Sequence, residues 1–246
     1  MDDFTVITFF NSKSIHFTIK IYFEGKIIPR LVGNLVRDGI FTVMTRNPKI
    51  DEMRLDGGVP CLDFVNTVPD RFDGSDRDNL NDFSDLIYWA RKAGILDKGA
   101  FAALEKAGQA NEKRAIDFFA EAVDLRDLIY AIFKPIALKQ KVRPADMEAF
   151  NKLTSKYFPF LEVVFQKDKF KEEWNFPTGH FYAITAPLVK SAHALLLSDT
   201  WGRVKECPNC GWLFWDTTKN GKRKWCSMED CGSSAKALAW YHRQKK

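Results

Sequence analysis

The 246-residue sequence has no uninterrupted apolar run near the roughly 18 residues that a membrane-spanning helix needs. Its start, Met1-Asp2-Asp3, lacks the basic stretch of a secretory leader, so the expected setting is the cytoplasm, with no membrane partner. Histidine is scarce, at four residues, and none falls in a His-Glu metal motif. A glycine-rich phosphate loop and a serine elbow are also missing, which removes the usual signatures of nucleotide-binding enzymes and serine esterases. With no acid–base or nucleophile constellation elsewhere, the expectation is a protein that is not an enzyme. There is no internal repeat and no low-complexity linker. Cysteine is rare as well, at five residues, yet four of the five lie in two pairs near the C-terminal end.

The 46% hydrophobic content is that of a globular protein, and a chain of this length buries a real core without a metal. The last forty or so residues cannot offset their own ordering entropy in that way and need a staple. Charge is unevenly placed. From Trp201 onward there are ten Lys or Arg against four acids, a balance of +6, so the remainder of a +5 chain carries about −1. Four thiolates on one Zn2+ would remove two of those charges and leave the C-terminal module near +4, which favours a polyanion as partner.

Along the chain, Ile15, Phe17, Ile19, Ile21 and Phe23 alternate with polar residues, and Glu24-Gly25 can turn, so a β-hairpin is expected in residues 1–52. Two readings of that segment stand side by side: a genuine β extension, or a mis-assigned start with translation beginning at Met44 or Met53. From Arg54 the texture becomes helical. Leu80, Phe83, Leu86, Ile87 and Ala90 mark one helix ending at Gly94, and Asp97 caps a short one through Ala107, with Gly108 after it. The longest helical period runs from about Asn111 to Gln140, with Pro135 expected to kink it or end its regular part. Pro144 suits the first turn of a helix through about Tyr157. Two short strands, 159–166 and 169–176, flank the turn Lys167-Asp168, and a last helix covers roughly Ala183 to Asp199.

The cysteine pattern is Cys207-x2-Cys210, fifteen residues, then Cys226-x4-Cys231. Four thiolates at such spacing suit one tetrahedral structural zinc, and four protein ligands leave no open position for water activation. Between the pairs, Asn220-Gly221 suggests a hairpin turn flanked by Trp212–Trp215 and Arg223–Trp225. Ser233 to Lys246 is expected as a helix capped by Ser233 or Ser234. Lys236, Trp240 and Arg243 share one face of it, and Leu238 and Tyr241 share another that can pack on the finger. Lys219, Lys222, Arg223 and Lys224 in the turn, with Lys236 and Arg243 on the helix, are the candidate phosphate contacts, the alternative being a solvated surface.

These residues resemble a known family. Cys-x2-Cys-Gly-Trp-x-Phe-x-Asp, a basic stretch, Trp-Cys-Ser-Met-x-x-Cys-Gly and a basic helix are similar to the CGNR zinc finger. Upstream, Leu62-Asp63-Phe64-Val65-Asn66-Thr67 with Asp85-Leu86 and Trp89 resembles the start of the ABATE domain of bacterial putative stress-induced transcription regulators. The resemblance implies a mainly α fold: a helical domain that senses a ligand or dimerises, with a small β-hairpin, and a small four-cysteine zinc finger of knuckle, hairpin and helix presumed to bind DNA. It departs in one place, since Ser233-Ser234 follow Cys231-Gly232 where the family has Asn-Arg.

The domains expected are therefore an extension 1–52, a helical ABATE-like domain 53–201 and a finger 202–246. Asn66, Arg71 and Arg126 are candidates to line a small-molecule pocket, against a structural reading in which Asn66 satisfies backbone and Arg126 bridges to Asp127 or Asp124. Cys61, isolated from any histidine, is expected as a buried structural thiol, and His193 as a satisfied core or surface residue. The function expected is a cytoplasmic DNA-binding regulator linked to stress response, associated with the nucleoid if it binds DNA, with a small-molecule ligand or a homodimer partner for its helical domain. The alternative is a protein-interaction module whose finger is a structural cap.

Overall fold

The computed structural model describes the strands within residues 4–27, then residues 47–72 and 77–245. The chain divides into two compact units, Met1–Thr45 and Arg46–Lys246. In the first, β1 (Phe4–Asn11), β2 (His16–Phe23) and β3 (Lys26–Ile27) form an antiparallel sheet in that order. Phe4 pairs with Phe23 and Asn11 with His16. The alternation read at residues 15–23 is β2, whose partner β1 precedes it; the Glu24-Gly25 turn and Met44 lie outside the described residues.

The second unit is built on helices: α1 (Pro48–Glu52), α2 (Pro60–Val65), α3 (Phe83–Lys92), α4 (Lys98–Ala110), α5 (Glu112–Ala137), α6 (Pro144–Tyr157), α7 (Tyr182–Leu197) and α8 (Ser233–Gln244). Among the described residues none is long and apolar enough to cross a membrane. The local signals act as their chemistry requires. Asp97 accepts from the Ala100 N–H at 2.7 Å, and Asn111 accepts from the Arg114 N–H at 3.0 Å. Pro144 occupies the first turn of α6, where its missing donor costs nothing. Pro135 falls in the last turn of α5, which ends at Ala137.

Gly108 does not terminate α4, which continues to Ala110. A Cβ there would stand 2.6 Å from the Phe83 ring, so the glycine is a packing requirement inside the helix. The central member is α5, which packs against α2, α3, α4, α6 and α7 and buries Phe118, Ala122, Leu125, Ile129, Ile132 and Phe133. Trp89 of α3 is fully buried, its ring 5.0 Å from that of Phe64.

Two hairpins complete the unit. β4 (Leu161–Gln166) pairs with β5 (Lys169–Trp174), from Leu161↔Trp174 to Gln166↔Lys169. Lys167 and Asp168 both take left-handed backbone, φ 53° and 57°, as a two-residue hairpin turn demands. β6 (Val204–Glu206) pairs with β7 (Leu213–Trp215) and encloses the first cysteine pair. The second hairpin thus surrounds the knuckle and not Asn220-Gly221. Residues 223–225 form no strand: β7 has β6 on one edge, and Asn66 and Gly57 hydrogen-bond its other edge.

Candidate functional site

The four cysteines converge. Their sulfurs all lie within 4.8 Å of one another, with Cys210–Cys226 at 3.7 Å, Cys226–Cys231 at 3.5 Å and Cys231–Cys210 at 3.6 Å. Zn–S bonds of about 2.3 Å in a tetrahedron imply S···S edges of about 3.8 Å, whereas a disulfide needs about 2.05 Å. The cluster fits the first, and all four cysteines are free and buried. Taken without a cation, the Cys207 thiol is lowered by hydrogen bonds from Cys210 and Cys226, and the thiols of those two residues are raised in turn. A divalent cation removes that conflict by holding all four as thiolates. The four sulfurs are the ligands for one structural zinc, which would staple the knuckle to the 226–231 segment.

The backbone builds the knuckle from β6 and β7. Cys207 N–H donates to Trp212 O at 2.8 Å and Gly211 N–H to Cys207 O at 2.9 Å. Gly211 has φ +72°, and a Cβ on it would lie 2.6 Å from the Cβ of Arg71, so a side chain is excluded twice. On the other side, Ser227 accepts from the Asp230 N–H at 3.4 Å and begins a π-helical turn, Met228–Gly232, that runs into α8. The cap expected at Ser233 or Ser234 is therefore upstream: Ser233 Oγ donates to Met228 O at 3.0 Å.

The finger is welded to the helical body by polar contacts. The Asn66 amide, buried at the end of α2, donates to Leu213 O at 2.8 Å and accepts from Leu213 N–H at 3.0 Å. Trp212 Nε1 donates to Val68 O at 2.7 Å, and Arg71 N–H to Cys210 O at 2.9 Å. Trp215 N–H donates to Gly57 O at 2.8 Å, while Asp63 takes the Gly57 N–H at 2.8 Å. Burial pushes the Asp63 carboxyl up to about 6. Arg126 makes a bidentate pair with Asp78 at 2.6 and 2.9 Å and donates to Thr67 Oγ1 at 2.9 Å, with Asp127 only at 3.8 Å. Arg71 Nη2 donates to Val65 O at 2.7 Å, and its guanidinium lies 4.1 Å above the Tyr130 ring. Asn66, Arg71 and Arg126 thus gather along the 65–78 segment beside the finger. The buried Nε atoms of both arginines have no hydrogen-bond partner among the described residues. Cys61 is fully buried, its thiol pushed up to about 12 by desolvation, and His193 packs edge-on against Phe158 at 4.9 Å.

Asp216, which follows β7, organises the basic loop, although the sequence marks it only as the end of the first finger motif. It accepts from the Thr218 N–H at 3.0 Å, Thr218 Oγ1 at 2.6 Å, the Arg223 N–H at 2.9 Å and Lys205 Nζ at 2.7 Å. Burial works to raise its pKa, but these donors outweigh it and hold the carboxyl well below the usual range. The loop leaves Lys219, Lys222 and Lys224 exposed, the last with its ammonium 4.7 Å over the Trp225 ring. Arg223 is different. Its guanidinium lies 4.7 Å over the Phe214 ring and donates to the carbonyls of Trp225 at 3.0 Å, Cys226 and Asp56. Lys236 and Arg243 are exposed on α8. Leu238 and Tyr241 do not pack on the finger: they are 58% and 49% exposed, and α8 buries no residue.

Comparison with known families agrees with this geometry. The family model described as ABATE, putative stress-induced transcription regulator, matches residues 58–199, and that of the CGNR zinc finger matches residues 203–244. Both are regulator or zinc-finger types and not enzyme families. A search of curated proteins found no match to the chain. With more than half of its length matched by the first of these, the chain belongs to the ABATE family of putative stress-induced transcription regulators and ends in a CGNR zinc finger.

Proposed function

We propose that the chain is a cytoplasmic, nucleoid-associated regulator of transcription in a stress response, whose zinc finger contacts DNA and whose helical domain senses a ligand or dimerises. The observation that carries this reading is a zinc-braced frame that presents Lys219, Lys222, Lys224, Lys236 and Arg243 to solvent. Such side chains bind phosphates by releasing counterions, and a fixed frame lowers the entropy lost on binding. Arg223 supports the frame more than the contact, since its donors point at carbonyls. The division 53–201 and 202–246 is kept as a division of labour, with 1–52 as an extension. The reading assigns no catalysis to either part.

Ligand sensing is supported by Arg71 and Arg126, two neighbouring cations whose buried Nε atoms no hydrogen bond takes among the described residues, that of Arg126 lying 3.8 Å from Asp127. An anionic small molecule, a carboxylate or phosphate, is the class that such donors take. A thermal-shift screen of such anions tests it, because a ligand of the native state raises the melting temperature.

A second reading, the finger as a cap for protein contacts, is favoured by the exposed Leu238, Trp240 and Tyr241 of α8. Fluorescence anisotropy with random duplex DNA at low salt separates the two. Micromolar binding that weakens with salt supports the regulator; no binding at low salt overturns it in favour of the cap.

A further inference from the structure

We propose that the β4–β5 hairpin is the homodimer surface, with β5 pairing antiparallel to the β5 of a second copy to give a four-stranded sheet. The inference deepens the dimerising half of the proposed function and is independent of the DNA half.

The hairpin is incomplete as it stands. A two-stranded sheet is marginal in water, and its outer edges offer unpaired N–H and C=O groups to another strand. Its register places Leu161, Val163 and Phe165 on one face with Trp174, Glu172 and Phe170. Leu161 and Trp174 at the base are half-buried, and Trp174 stacks on Phe176 at 5.5 Å and 8°. Further out, the same face leaves the body: Val163, Phe165 and Phe170 are 70%, 64% and 76% exposed, with the Phe165 and Phe170 rings 5.0 Å apart. A pair of solvent-exposed phenylalanines on an open strand is a cost that a partner removes.

The occupant follows from the charge pattern of β5, Lys169-Phe-Lys171-Glu172-Glu173-Trp174, basic first and acidic after. Read antiparallel against itself, such a strand is self-complementary, as a two-fold interface requires. In a register centred on Glu172, Lys171, which pairs with Glu173 of its own strand, also lies opposite the partner's Glu173, and Phe170 lies opposite the partner's Trp174. The two copies of Glu172 meet at the axis, each already paired to its own Lys190 of α7. The antiparallel direction also brings the tip of one hairpin alongside the base of the other. Phe170 then lies beside the partner's Trp174, with Phe165 next to it on the same face. A shift to centre on Lys171 would set Phe170 opposite the partner's Glu172 in place of the partner's Trp174, which disfavours it.

Sedimentation of the full chain at concentrations on the order of 10 μM tests the inference. The wild type is expected to sediment with the mass of two chains. Phe170→Ser and Glu173→Lys, both at exposed positions, are each expected to weaken the dimer about tenfold, and Lys171→Glu combined with Glu173→Lys to restore it. Circular dichroism of each variant reports whether it stays folded. A monomeric wild type overturns the proposal, as does a dimer that neither single variant weakens or a double variant no better than Glu173→Lys alone. Loss of DNA binding with the dimer intact would count against the DNA reading and leave this one standing.

Discussion

The side-chain amide of Asn66 makes both hydrogen bonds available on the backbone of Leu213, donating at 2.8 Å and accepting at 3.0 Å, across 147 positions of sequence. A single buried residue at the end of α2 thereby acts as a short edge strand for β7 and joins the helical body to the finger. Asn66→Ala leaves a buried N–H and a buried C=O unpaired, at a cost of about 1–3 kcal/mol each. Urea unfolding is expected to show a loss of about 3 kcal/mol, with Asn66→Asp no better, since it keeps the acceptor but sets a carboxylate against Leu213 O. A change under about 0.5 kcal/mol would show that the joint rests on other contacts.

Removal of zinc is expected to unfold the finger and to weaken the helical body with it. Trp212, Leu213 and Trp215 hold Val68, Asn66 and Gly57, so melting the knuckle frees that side of α2. Elemental analysis should find one zinc per chain, and a chelator should lower the melting temperature of the whole 46–246 unit. Unchanged circular dichroism in a chain that carries no zinc would refute the closed site.

Asp63 gives the fold a dependence on pH. Its folded pKa of about 6 lies above the ordinary carboxylate value, so the folded state holds the proton more tightly than the unfolded chain does. Stability is then greatest well below pH 4 as far as this group is concerned, and it falls by about 3 kcal/mol in total as pH rises from below 4 to above 6, about 2 kcal/mol of that between pH 4 and 6. Asp63→Asn, which keeps an acceptor for the Gly57 N–H, is expected to flatten that stretch of the stability profile. A profile identical to wild type would mean that Asp63 is hydrated in solution.

Asp216 holds the basic loop from four donors, and its replacement separates shape from charge. Asp216→Ala removes one negative charge, which by itself should favour DNA. It is nonetheless expected to weaken DNA binding several-fold, because Lys219, Lys222 and Lys224 lose their fixed spacing. Tighter binding by this variant would show that net charge, and not loop geometry, decides affinity.

What the sequence disclosed was local. Pro144 set the start of α6, Asp97 capped α4, and the Lys167-Asp168 turn joined two strands, because each signal acts within a few residues. The four cysteines were legible for a similar reason: zinc fixes ligand spacing in the chain as well as in space. The joints were hidden. Nothing near Asn66 names Leu213, nothing near Arg126 names Asp78, and Arg223 looked like its exposed neighbours until its carbonyl partners were placed. The position of Gly108 misled for a related cause, since the need for a glycine came from Phe83 on another helix. Leu238 and Tyr241 had a helical spacing that fits packing, yet α8 buries none of its side chains against the described residues.

The most direct test of the account is the salt dependence of binding to random duplex DNA by wild type and by Lys222→Glu with Lys224→Glu, Arg223 being left in place to preserve the loop. For wild type the account predicts a logarithmic affinity that falls linearly with the logarithm of salt, by about 0.9 per phosphate contacted. The double variant should bind more weakly at every salt concentration, with a slope shallower by about two contacts. Equal affinity and equal slope for the two proteins would contradict the assignment of this face to DNA.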